Sequence, residues 1–94
     1  MTGAAGGIGK QIRASLTELA QSVRLSDIVP LDAAGPHEEL HPCDIRDAEA
    51  VRAMVRGCDA ILHFGGISVE GRADQIHEIN INGTYNLYEA ARKE

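Results

Sequence analysis

The sequence predicts an α/β fold: the N-terminal half of a doubly wound parallel sheet, with its first strand missing or truncated. Three observations lead there. A glycine turn, Thr2-Gly3-Ala4-Ala5-Gly6-Gly7-Ile8-Gly9, opens a helical pattern. An acid, Asp27, closes the next strand-like segment 18 residues after Gly9. Strand and helix patterns then follow one another to the end of the 94 residues. Only Met1 and Thr2 precede the first glycine, where this fold places a whole strand.

From Ile8 the apolar positions Ile8, Ile12, Leu16 and Leu19 fall on one helical stripe, predicting a helix to about Ala20. Gln21 to Asp27 alternates Val23 and Leu25 with polar neighbours, as a half-buried strand does. Pro30, Gly35 and Pro36 then make a loop of the stretch from Ile28 to about Glu38. Leu40 to Asp44 is a short strand candidate interrupted by Pro42, which places it near a sheet edge. Asp47 can cap the next helix, Val51, Met54 and Val55 form its apolar face, and Gly57 ends it. Cys58 to Phe64 reads as a largely buried strand stopped by Gly65-Gly66. Ile76, Ile79, Gly83, Leu87 and Ala90 recur at three and four residues, giving a last long helix to about Arg92. With a first strand restored, the sheet order is 3-2-1-4 and that strand is central. Without it, strands 2 and 4 lose the neighbour that pairs their backbone. The expectation is therefore a fragment of a longer protein, or a chain that folds only with an outside strand or partner.

The glycine turn is the chemical centre. Gly3 lets the chain turn sharply, Gly6 leaves room for phosphate oxygens near bare amides, and Gly9 lets the helix pack close to the sheet. Gly7 and Ile8 complete a pyrophosphate cradle on the helix N-terminus. Asp27, with Ile28 beside it, is placed to accept hydrogen bonds from an adenosine ribose, and its charge repels a 2'-phosphate, so the cofactor is NAD rather than NADP. The alternative for Asp27 is a solvated strand-end acid. Asp44 and Ile45 can bracket an adenine, the carboxylate near the amine and the aliphatic group against the ring, or Asp44 can serve as a turn or cap residue. Phe64, Gly65 and Gly66 stand at the end of the fourth strand, beside the switch point where ligands bind. Ser68 either reaches the nicotinamide and substrate space or forms a turn. His63, late in an apolar strand, reads as a satisfied core histidine. The chain is thus expected to be, over residues 1–94, a partial NAD(P)-binding Rossmann-type domain.

Composition bounds the partners. A net charge of −5 with scattered basic residues argues against nucleic acid, and no apolar run approaches a membrane span. No secretory signal is visible, so the cytoplasm is the expected compartment. Cys43 and Cys58 have no metal spacing with each other or with His37, His41 and His77, and no metal is assigned. The expected partner is a small molecule, and homo-oligomerisation stays open.

The glycine turn resembles the nucleotide loop of the short-chain dehydrogenase/reductase superfamily. Read as Gly3, Gly6, Gly9 it matches the extended form, and read as Gly3, Gly7, Gly9 the compact one. His63-Phe64-Gly65-Gly66 resembles the extended, epimerase/dehydratase-like group, as does Asn80-Ile81-Asn82-Gly83-Thr84-Tyr85-Asn86-Leu87. Within it, Ser26-Asp27, Pro30-Leu31-Asp32, Ala34-Gly35-Pro36, Met54 to Asp59, Asn86 to Arg92 and above all Gly65-Gly66-Ile67-Ser68-Val69-Glu70 are similar to the bacterial uronate dehydrogenases. That resemblance implies hydride transfer from C1 of a cyclic hexuronate to NAD, giving an aldarolactone, with Ser68 as a substrate contact. Gly7 stands where that resemblance implies a glutamine, so a substrate contact from the turn is expected to be lost or supplied elsewhere. The superfamily's Tyr-x-x-x-Lys pair is not matched: four residues after Tyr85 and Tyr88 stand Glu89 and Arg92. No catalytic residue is assigned, and these 94 residues alone are expected to be inactive. Two other readings share the loop, a sugar-nucleotide epimerase or dehydratase and a non-enzymatic NAD-binding module.

Overall fold

The computed structural model describes residues 1–66 and 71–94. In order, the elements are α1 (Gly7–Leu19), β1 (Val23–Leu25), β2 (Glu38–Leu40), α2 (Ala48–Val55), and a continuous helical run made of α3 (Ala73–Ile76), a π-helical segment (His77–Gly83) and α4 (Thr84–Lys93).

β1 and β2 pair in parallel, with Val23 opposite Glu38 and Leu25 opposite Leu40. The third-strand register expected at Leu40 to Asp44 begins earlier, at Glu38. The ladder still continues past the named strand, because the His41 amide donates to Leu25 O (2.8 Å) and the Cys43 amide to Asp27 O (3.2 Å). Alternate residues donate inward, so the missing N–H of Pro42 falls on the outer edge, where it costs the ladder nothing.

Met1 and Thr2 stand in the place expected of the first strand. Met1 O accepts the Ser26 amide (2.9 Å) and the Ala4 amide donates to Ser26 O (3.1 Å) on one side. On the other, the Thr2 amide donates to Leu62 O (2.9 Å) and Thr2 O accepts the Phe64 amide (3.4 Å). The spatial order β2, β1, Met1-Thr2, His63 is the 3-2-1-4 order of the Rossmann half. Two residues suffice to link the neighbours, although the pairing to the fourth strand contracts to a single parallel bridge, Thr2 to His63.

That fourth segment departs from expectation. It is not a largely buried strand: Cys58 is exposed, and Leu62 and Phe64 remain 40% and 42% exposed. Leu62 and Phe64 alternate with the half-buried Ile61 and His63, so one face of the segment is left uncovered among the described residues. The stripe of α1 is also thinner than its periodicity implies. Ile8 and Leu19 are 59% and 83% exposed, and the helix's buried residue is Gly9.

Two apolar clusters lie on opposite faces of the sheet. Ala4, Val23 and Leu25 pack with Leu16 of α1. Arg24, between Val23 and Leu25, points the other way, where its guanidinium donates to the carbonyls of Met54 and Arg56 at the end of α2. On that face Cys43, Val51, Met54, Val55, Leu87 and Ala90 form the larger cluster. Asp47 caps α2 as its sequence predicts, accepting from the amides of Glu49 and Ala50, and Gly57 leaves the helix at φ +80°. The last helix differs from a simple 3.6 period in its π segment, which ends on Gly83. A Cβ there would lie 2.7 Å from Ile45, so this glycine admits the Ile45 side chain against the helix.

Candidate functional site: a dinucleotide cleft

The glycine turn is held by close backbone packing. Gly3 adopts φ +65°, and a Cβ on it would sit 2.6 Å from the carbonyl carbon of Phe64. A Cβ on Gly9 would sit 2.5 Å from Gly3 O. Gly7 faces open space. The Gly6 amide closes the turn on Gly3 O (3.1 Å), and the Lys10 amide returns to Gly6 O (2.9 Å). Helix geometry leaves the amides of Gly7, Ile8 and Gly9 without intrahelical acceptors, and α1 carries neither a capping side chain nor an acid in its first turn. That is a helix N-terminus prepared for an external anion.

Asp27 stands beside it at the end of β1. One carboxylate oxygen accepts the Ala5 amide (3.0 Å), the other the amides of Ile28 (2.7 Å) and Val29 (3.2 Å). The acid is thereby fixed to the glycine turn and aimed at its mouth, with lone pairs left over.

The structure gathers all twelve positions expected to touch cofactor, Gly3, Gly6, Gly7, Ile8, Gly9, Asp27, Ile28, Asp44, Ile45, Phe64, Gly65 and Gly66, around one cleft of about 640 Å³. Ser68 lies outside the described residues. Asp44, expected to face an adenine, is less free than its sequence suggests. Arg46 grips its carboxylate through the backbone amide (3.0 Å), Nε (2.9 Å) and Nη2 (2.7 Å), holding it below the usual carboxylate range. Ile45 divides its surface between the cleft and Gly83.

Sequence reasoning assigned no site role to Thr2, Asn80 and Thr84, which also line the cleft. The signal for the last two was the Asn80-to-Leu87 run, read for family and not for position. From the same helix Asn86 donates to the carbonyls of Ile45 (3.0 Å) and Arg46 (3.2 Å), fixing the loop after β2. Tyr85 and Tyr88 stand away from the cleft, 64% and 73% exposed.

Fold and strand order define the class: the N-terminal half of a Rossmann-type fold. The chain belongs to the 3-beta hydroxysteroid dehydrogenase/isomerase family, whose model matches residues 1–94. It is 53% identical over 94 residues to a uronate dehydrogenase of Pseudomonas putida, covering 99% of this chain and 35% of that protein. To the uronate dehydrogenase of Agrobacterium fabrum it is 58% identical over 92 residues, covering 98% of this chain and 35% of that one. Among solved structures, a variant uronate dehydrogenase from Agrobacterium tumefaciens complexed with NAD superposes with a TM-score of 0.95 at 57% identity, covering 99% of this chain and 35% of that chain. The chain thus spans about a third of the length of these relatives.

Proposed function

We propose that residues 1–94 form part of an NAD-binding domain in an NAD-dependent oxidoreductase that oxidises C1 of a hexuronate to an aldarolactone, a uronate dehydrogenase. The observation that carries the cofactor is the joint geometry of the glycine turn and Asp27. Bare amides of Gly7, Ile8 and Gly9 would receive the pyrophosphate, while the carboxylate held by Ala5, Ile28 and Val29 would take the ribose hydroxyls and reject a 2'-phosphate. The residues fit the group on their own geometry: backbone packing that a Cβ on Gly3 or Gly9 would break holds the turn in shape, and Gly7 leaves its mouth open. Bound NAD supplies the hydride acceptor. This chain's residues bind and orient it, and Ser68 contacts the sugar acid.

The substrate class rests on the similarity to the uronate dehydrogenases. The proton-transfer pair is assigned outside these 94 residues, since Tyr85 and Tyr88 lack the lysine and face away from the cleft. The reading places the enzyme in the cytoplasm with a small-molecule partner. Calorimetric titration of the full-length protein with NAD and NADP tests it. Tight binding of NAD over NADP is expected, and Asp27→Ala weakens NAD about tenfold while narrowing the preference. An unchanged preference removes Asp27 from its role, and a wild-type protein that binds neither nucleotide overturns the reading.

A further inference from the structure

His63 sits in a chain of hydrogen bonds whose direction is fixed at both ends. At one end, the Gly65 amide can only donate, and it does so to Thr2 Oγ1 (3.0 Å). At the other, the Asn80 carbonyl can only accept, and Thr84 Oγ1 lies 2.6 Å from it, so the Thr84 hydroxyl hydrogen is committed there. His63 bridges the two hydroxyls, with Nδ1 2.6 Å from Thr2 Oγ1 and Nε2 3.1 Å from Thr84 Oγ1.

With its own hydrogen spent on Asn80, Thr84 can only accept from His63, which places a hydrogen on Nε2. A neutral ring then has a bare Nδ1, which accepts the Thr2 hydroxyl, which in turn accepts from Gly65. Every polar hydrogen has one partner, and all run the same way, an arrangement in which each bond strengthens the next. Burial lowers the imidazole pKa from its ordinary value, consistent with the neutral ring. A charged ring would put a hydrogen on Nδ1 and leave the Thr2 hydroxyl hydrogen unpaired in a residue only 3% exposed.

One end of this chain holds both glycine turns of the cleft together, and the other lies on the last helix. Gly3, next to Thr2, packs on the Phe64-Gly65 peptide, and that peptide carries the amide pinned by Thr2. We propose that His63 is a positioning residue for the cofactor cleft: fixed as the Nε2–H tautomer between Thr84 and Thr2, it ties both glycine turns to the last helix and sets their spacing. This rests on the NAD reading above and adds a cleft-lining residue whose ring acts through the hydroxyls of Thr2 and Thr84.

The titratable groups around the ring are few. Cys58 and Asp59 on its own segment, Tyr88 on α4 and Glu94 just past that helix share the smaller cavity of about 310 Å³ behind it. Asp27, Asp44 and Arg46 border the cleft in front, and the Met1 amino group is on the neighbouring strand. None bonds to the imidazole. Full affinity for NAD is therefore expected while the ring is neutral, with loss as pH falls through a His63 pKa below 6.5.

The test uses the full-length protein. The imidazole ¹⁵N spectrum of wild type at neutral pH should show protonated Nε2 and bare Nδ1; a protonated Nδ1 overturns the proposal, whatever the variants do. Thr84→Val, which removes the acceptor while keeping the shape, should release the tautomer and weaken NAD about tenfold, with Thr84→Ser restoring both. His63→Gln can donate to Thr84 but cannot titrate, so it should abolish the acid-side loss of affinity seen in wild type. NAD affinity within about twofold of wild type in Thr84→Val, or an acid limb that survives His63→Gln, overturns the positioning role. Failure of wild type to bind NAD at all speaks against the cofactor reading instead, and the nitrogen spectrum still decides the tautomer.

Discussion

On the α1 face of the sheet, the helix buries a glycine, and the apolar cluster beneath it amounts to Ala4, Val23 and Leu25 with flanking Leu16, Leu31 and Met1. On the opposite face, α2 and α4 meet over Cys43, Val51, Met54, Val55, Leu87 and Ala90. The first face is shaped by side chains that are missing, since Gly3 and Gly9 let backbone touch backbone. The second is shaped by side chains that fill space. The candidate binding surface takes from the first face the bare amides and uncapped helix that a phosphate needs, which a large apolar core would cover. The second face completes the cleft, with Thr84 of α4 bonded to His63 and Asn86 to the carbonyls of Ile45 and Arg46.

This contrast is broken most sharply by adding one carbon on the glycine face. Gly3→Ala must place a Cβ 2.6–2.8 Å from three backbone atoms of Phe64 and Gly65, at a φ of +65° that alanine disfavours. A stability loss of about 3 kcal/mol is expected. The distorted turn should also lose about a hundredfold in NAD affinity, since about 3 kcal/mol is worth that much in binding. Denaturant unfolding and NAD titration of the full-length protein measure the two. Removing carbons from the other face should separate them. Met54→Ala empties a site that is 5% exposed and should cost about 3 kcal/mol of stability. Met54 does not line the cleft, so the variant that still folds should bind NAD within about twofold of wild type. Equal loss of affinity in both variants would mean that the faces do not divide the labour.

What could be read from the sequence followed the same division. Features that are local and chemical were legible. Asp47 as a cap and Gly57 as a stop depend on a few neighbours, and both are in place. The sheet order 3-2-1-4 followed from the succession of patterns. Features set by distant partners were not legible. β2 starts at Glu38, whose carboxylate is bound by Arg13, 25 residues away, through Nε (2.8 Å) and Nη2 (3.0 Å). The π segment has no period of its own in the sequence, and it ends where Gly83 admits Ile45. The fourth segment looked buried because its residues are apolar, yet what buries a strand's side chains is a layer packed on each face.

The smallest expected effect tests the polar side of the comparison. Arg13 and Glu38 form an ion pair with side chains 12% and 8% exposed, and Arg13 also donates to the carbonyls of Asp32 (3.2 Å) and Ala33 (2.8 Å). Through these bonds α1 holds the whole loop between the two strands. The hydrogen bonds from Arg13, joined by the Gly35 amide, keep the Glu38 carboxyl below its ordinary value of 4.5. A carboxyl lowered on folding contributes stability that is complete above its unfolded value and is lost as pH falls through the folded one. The glycine face should therefore loosen first in acid, the loop of residues 28–38 losing amide protection below about pH 4.5 while α2 and α4 keep theirs. On the other face the pairs of Arg52 and Arg56 with Glu94 involve arginines 39% and 67% exposed, where screening leaves little to lose. Glu38→Gln should lower stability on the order of 1 kcal/mol at neutral pH and flatten that acid limb. Protection that falls together on both faces, or an acid limb unchanged in Glu38→Gln, would show that the glycine side draws its stability from its small apolar cluster instead of from this clasp.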